Sequence, residues 1–249
     1  MVACMNGGHS LALNLLGLGQ YGAALLLVQL AIACSPAAPE QGNAAVPANV
    51  TQAAPANAAQ QTPARLVVAL GDSLYAGYGL EAGEGLAPVL ERDLKASGVD
   101  AQVINAGVSG DTSQEGRDRL GFVLDGLARK PDLVIVGLGG NDMLRGLPPK
   151  ATRDNLDAIL AELKRRGIPA MLTGMLAAPN LGPDYAAAFN RIYPDLAKAY
   201  GVPLYPFFFD GVVGKRELML PDNIHPNAQG IGIIAARLAP RVAEQIATE

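Results

Sequence analysis

Basic residues are missing from the first quarter of this chain. No Lys or Arg precedes Arg65, and Glu40 is the one acidic residue there. Residues 65–249 therefore hold all 19 basic residues against 22 acidic ones, a net charge of −3. A mildly acidic domain of this kind lacks the cationic face that nucleic acid requires, so a nucleic-acid partner is not expected. Cysteine is nearly absent. Cys4 and Cys34 both lie in the N-terminal stretch, and beyond Arg65 there is none. That excludes a disulfide, thiolate catalysis and a cysteine metal site from the main domain. Histidine occurs twice, as His9 and His225, so the same domain owns a single imidazole. One His and no Cys is a thin ligand supply, and no metal site is expected. Tryptophan is absent altogether.

What is present divides the chain in three. Residues 1–33 are mostly apolar towards their end, densest in "AALLLVQLAIA" before Cys34. This is read as an export signal or an anchor segment. Ala31 and Ala33 before Cys34 make Cys34 a candidate lipidated residue, similar to a bacterial lipobox, although Ala31 stands where leucine is usual and the charged leader is missing. The alternatives are cleavage after Ala33 and an uncleaved membrane anchor. Residues 34–64 are rich in Ala, Pro, Gln and Asn. That composition cannot bury a core and reads as a disordered linker, spanning roughly 30 Å as a coil. Exported, periplasmic placement with a membrane tether is the expectation.

Residues 65–249 form the catalytic domain in this reading. Short apolar runs occur at 66–70, 101–104, 133–138, 168–173 and 202–205, separated by helix-like segments. Five such alternations predict a parallel sheet covered on both faces. "TSQE" from Thr112 reads as a capping box. Ile231, Ile234, Leu238, Val242 and Ile246 make an amphipathic stripe, which Pro240 is expected to kink or interrupt. In such folds ligands bind at the carboxyl ends of the strands.

The chemistry-bearing motifs follow strands, save one near the C-terminus. Ser73, in "GDSL" after the first run, is a candidate nucleophile; the plain alternative is a helix cap. Serine needs a base to activate it, and His225 in "DNIH" is the one imidazole available. Asp222, three residues earlier, can orient it if the two share a helical turn. Asp72 is read as tying down the serine turn. Gly110 in "NAGVSGDT" offers a bare N–H, and Asn141 in "GLGGNDMLRG" offers a neutral amide donor. With the Ser73 N–H they would form an oxyanion hole. Each glycine loop alone reads equally well as a tight turn.

Together "GDSL", "SGDT", "GGND" and "DNIH" resemble, in order, the four blocks of the SGNH or GDSL hydrolase family. "NAGVSGDTS", "LGGNDMLRG", "YPFFF" and "IHPNAQG" look closer to its bacterial thioesterase I, arylesterase and lysophospholipase branch. The resemblance covers essentially all of 65–249. It implies a three-layer α/β/α sandwich with a five-stranded parallel sheet, flavodoxin-like in outline. It also implies a Ser73–His225–Asp222 triad, oxyanion donors on Ser73, Gly110 and Asn141, and no cofactor. The expected activity is hydrolysis of carboxylic esters and thioesters with short to medium acyl chains, or of lysophospholipids, through an acyl-enzyme. Met143, Leu144, Met175 and Leu176 are candidate acyl contacts, with core packing as the alternative. Tyr75, Tyr78 and Arg145 are left between substrate contact and packing or solvation. A carbohydrate O-acetyl esterase with the same machinery is the rival enzyme, slightly disfavoured by the missing Trp. A non-catalytic flavodoxin-like binding module is the rival of another class. No protein partner is indicated.

Overall fold

The computed structural model describes residues 64–247. The proposed signal segment, Cys34 and all but the last residue of the linker lie outside the described residues. Five strands form one parallel sheet in the order β2-β1-β3-β4-β5. They are β1 (Arg65–Gly71), β2 (Ala101–Gly107), β3 (Leu133–Gly137), β4 (Ala170–Thr173) and β5 (Leu204–Tyr205). All five predicted strands are present. The last two begin later than their apolar runs because Pro169 and Pro203 have no amide hydrogen to pair.

The strands are continuous apolar runs because both faces of the sheet are covered. Val67, Ala69, Leu133, Ile135 and Met171 point to one face, against α2 (Leu86–Ala96) and α8 (Ala228–Ile246). Val68, Leu70, Val134, Val136 and Leu172 point to the other. There they meet α3 (Ser113–Asp125), α5 (Pro149–Arg165), α6 (Pro183–Asn190) and α7 (Ile192–Tyr200). This is the expected three-layer α/β/α sandwich. Leu90, Leu156 and Leu238 are fully buried in it, and truncating such a side chain costs about 2–5 kcal/mol.

Two short helices stand at the carboxyl edge of the sheet, α1 (Ser73–Ala76) and α4 (Gly140–Leu144). The first sits low because Gly107, Gly71 and Gly137 lie side by side in the register at the ends of β2, β1 and β3. A Cβ on Gly71 or Gly137 would stand 2.3 or 2.2 Å from the Tyr75 ring, and one on Gly107 would stand 2.2 Å from the Ala76 nitrogen. Three glycines thus form a shelf on which the first helix rests. The reversal of strand order between β1 and β3 places the open crevice at this same edge.

The interruption allowed for at Pro240 does not occur. Pro240 lies inside α8, which runs uninterrupted from Ala228 to Ile246. Pro240 and Ala236, whose carbonyl loses its donor, are both exposed, so water can satisfy that oxygen. The buried stripe Ile231, Ile234, Leu238, Val242 and Ile246 holds the helix against the sheet on its other side.

Candidate active site

Asp72 starts the site. Its side chain accepts the Leu74 N–H at 3.0 Å and so caps α1, which fixes Ser73 as the first helical residue. The Ser73 hydroxyl is left pointing away from the cap. Ser73 Oγ lies 2.8 Å from His225 Nε2, across 152 residues of chain.

His225 and Asp222 belong to the loop before α8, not to the helical turn expected for them. Asn223 takes φ 55°, and Asp222 Oδ1 accepts the N–H groups of Ile224 at 2.9 Å and His225 at 3.1 Å. This side-chain turn does what a helix would have done. It brings Asp222 Oδ2 to 2.7 Å from His225 Nδ1. The carboxylate thereby sets the imidazole tautomer, with Nε2 facing the serine.

Two carboxyls at this site are driven in opposite directions. Burial pushes Asp222 up, but the hydrogen bonds from His225 and from the Ile224 and His225 amides outweigh it and hold it at about 2. Asp72 is 2% exposed, and burial raises it to about 6, against the single backbone bond from Leu74 and the charge of His225.

The donor loops converge on the same point. Gly110 takes φ 91°, a region costly for any side chain. Among the described residues, no hydrogen bond claims its N–H or that of Ser73. Asn141 gives one amide hydrogen to the Asp111 carbonyl at 2.9 Å, keeping the other for a ligand. Behind this front a polar frame ties the loops together. Arg119 binds the Asp111 carboxylate at 2.6 Å and the Gly71 carbonyl at 2.9 Å. Buried Asp142 accepts from Ser113 N–H, Ser113 Oγ and Thr152 Oγ1, joining α3, α4 and α5. The Thr112–Glu115 capping box is formed in full. No metal-binding group of three or more His, Cys, Asp or Glu occurs among the described residues.

Ser73, Gly110, Asn141 and His225 all line one cavity of about 740 Å³, mostly apolar. Met143, Leu144 and Met175 line it too. Leu176 does not. The backbone is pinned before it by the Gly174 bonds to Tyr205 and Phe208, and after it by Ala177 to Asn190. Met175 therefore turns inward and Leu176 stays half-exposed. Tyr78 lines the cavity with its ring 4.5 Å from that of His225, whereas Tyr75 is buried on the glycine shelf. Arg145 binds the Gly110 carbonyl at 2.7 Å and does not line the cavity. Sequence reasoning missed the wall after β5: Phe209, Val213, Lys215, Arg216, Met219 and Ile224. The apolar "FFFDGVV" run was its one visible signal.

Comparison with known proteins agrees with this architecture. Residues 69–232 match the GDSL-like lipase/acylhydrolase family. Esterase TesA of Pseudomonas aeruginosa is 39% identical over 160 residues, 64% of this chain and 79% of that one. Thioesterase 1/protease 1/lysophospholipase L1 of Escherichia coli is 41% identical over 176 residues, 71% of this chain and 82% of that one. The crystal structure of AlinE4, an SGNH-hydrolase family esterase, is 48% identical with a TM-score of 0.64, covering 74% of this chain and 97% of that one. The chain belongs to the GDSL-like lipase/acylhydrolase family and is a serine ester hydrolase.

Proposed function

We propose that Ser73 is the nucleophile, His225 the general base and acid, and Asp222 the group that orients it. Ser73 Oγ attacks the acyl carbonyl carbon as its proton passes to His225 Nε2. The carbonyl oxygen becomes an oxyanion held by the Ser73 and Gly110 N–H groups and the free Asn141 amide hydrogen. Each such donor is worth about 10²–10³ in rate. The tetrahedral adduct collapses, and the bond to the leaving oxygen or sulfur breaks as that atom takes the proton from His225. Water then gives a proton to His225 and attacks the acyl-serine. Collapse frees the carboxylic acid and returns the proton to Ser73.

The observation that carries this reading is the unbroken chain Ser73 Oγ, His225 Nε2, His225 Nδ1, Asp222 Oδ2, with links of 2.8 and 2.7 Å, opening into an apolar cavity. The substrates proposed are short to medium acyl esters and thioesters, and lysophospholipids. The similar esterase and thioesterase/lysophospholipase support that range. Met143, Leu144 and Met175 offer the acyl chain an apolar wall larger than an acetyl group needs, which favours this over a carbohydrate O-acetyl esterase. Residues 1–33 are proposed to direct export to the periplasm, with Cys34 as the lipid attachment point and 34–64 as the tether.

The test is hydrolysis of p-nitrophenyl esters from acetate to decanoate. The Ser73→Ala protein should be slower by about 10⁴–10⁶-fold, and wild type should prefer chains longer than acetate. Equal activity of the two proteins would remove Ser73 from the mechanism.

A further inference from the structure

We propose that Lys215 and Arg216 form an anion subsite that receives the phosphate of the substrate's leaving group. The inference rests on the ester-hydrolase chemistry proposed above and extends it to the half of the substrate beyond the acyl chain. Both residues line the cavity that holds Ser73 and His225, and both are exposed. They are the cations of that lining; its acidic member, Asp72, is buried and engaged with the Leu74 amide. Among the described residues neither forms an ion pair, although Arg119, Arg129, Arg166 and Arg237 all do. Glu217 follows them but does not line the cavity.

The backbone beneath the two cations is held. Lys215 N–H bonds the Val212 carbonyl at 3.1 Å, and the Lys215 and Arg216 carbonyls accept from Leu218 and Met219. Their charged heads are thus carried on a pinned turn, in a domain whose net charge is negative. An acyl chain gains nothing from two cations, and the apolar wall of Met143, Leu144 and Met175 comes from α4 and the segment after β4. A phosphate gains charge-assisted hydrogen bonds from both, with the guanidinium able to bind it through two donors. That phosphate can come from a phospholipid headgroup or from the nucleotide part of a thioester.

The experiment compares three donors of one acyl chain with the whole protein: p-nitrophenyl decanoate, decanoyl-coenzyme A and decanoyl-lysophosphatidylglycerol. In Lys215→Gln/Arg216→Gln, the ratio of kcat/KM for an anionic donor to that for the neutral ester should fall about tenfold, through KM. The wild-type ratio should fall as salt is raised, since exposed charges are screened, and Lys215→Arg should keep it. A fall confined to the coenzyme A ester names the nucleotide as the phosphate source, and one confined to the lysolipid names the headgroup. A ratio unchanged in the double variant, or indifferent to salt, overturns the subsite. Calorimetric binding of decanoyl-coenzyme A and the lysolipid to Ser73→Ala, with and without the two cations, reads the subsite apart from turnover. If wild type hydrolyses none of the three donors, the proposed reaction fails, and this binding still decides for or against the subsite.

Discussion

Asp72 adjoins Ser73 and is the more costly of the two carboxyls at the site. Asp222 is partly open to water and has three donors, so it stays charged. Asp72 is enclosed, with one backbone donor, and burial raises it to about 6. The folded protein therefore binds this proton more tightly than the unfolded chain, whose carboxyl titrates near 3.9. It follows that Asp72 makes stability fall as pH rises from about 4 to about 6, and that its ionised form is a burden above pH 6. Two units correspond to about 3 kcal/mol at most. Asparagine keeps the oxygen that caps α1 without the charge. Urea unfolding of Asp72→Asn should show a gain over wild type at pH 8 that shrinks towards pH 4. A gain of the same size at both pH values would mean that the charge is not the cause.

At the level of elements, the position of the nucleophile depends on what the strand ends lack. Gly107, Gly71 and Gly137 let α1 lie directly on the sheet. Gly107→Ala drives a methyl to 2.2 Å from the Ala76 nitrogen, a backbone atom that can retreat only if the whole helix lifts. The expected cost is about 1–3 kcal/mol in stability. Because Ser73 is on that helix, a drop in kcat larger than the drop in folded fraction should accompany it. Thermal unfolding and kcat measured on the same samples test this, and unchanged kcat would show that α1 does not depend on the shelf. The proline in α8 teaches the complementary point. A rule about single residues lost to a buried stripe of five apolar side chains, because the broken hydrogen bond faces water.

For the whole molecule, the proposed division is a catalytic domain carried on a tether. If residues 34–64 act as the proposed coil tether, a reach of about 30 Å would let the cavity address substrates at or near the membrane to which Cys34 is proposed to be joined. No helix of the described residues is long and apolar enough to cross a membrane. If Cys34 carries the lipid, the full chain expressed in a bacterial host should fractionate with membranes, and Cys34→Ala should move to the soluble fraction. Membrane retention by that variant would point instead to an uncleaved apolar segment.

The layered fold was legible in the chain because burial on both faces writes itself as unbroken apolar runs, and helices between them write a stripe. The four site blocks were legible because together, in order, they resemble those of a known family; each alone read equally well as a turn or a cap. Three things were beyond any local reading. The Ser73–His225 contact joins residues 152 apart and exists because the loop before α8 reaches the carboxyl edge of the sheet, where β1 ends. The Asp222–His225 contact needs a turn with positive φ at Asn223, where spacing alone suggested a helix. The cationic and apolar wall after β5 carries no periodicity, since an irregular loop takes its shape from what it packs against. Local pattern reports which residues avoid water, but which residues meet is set by how the packed elements are stacked.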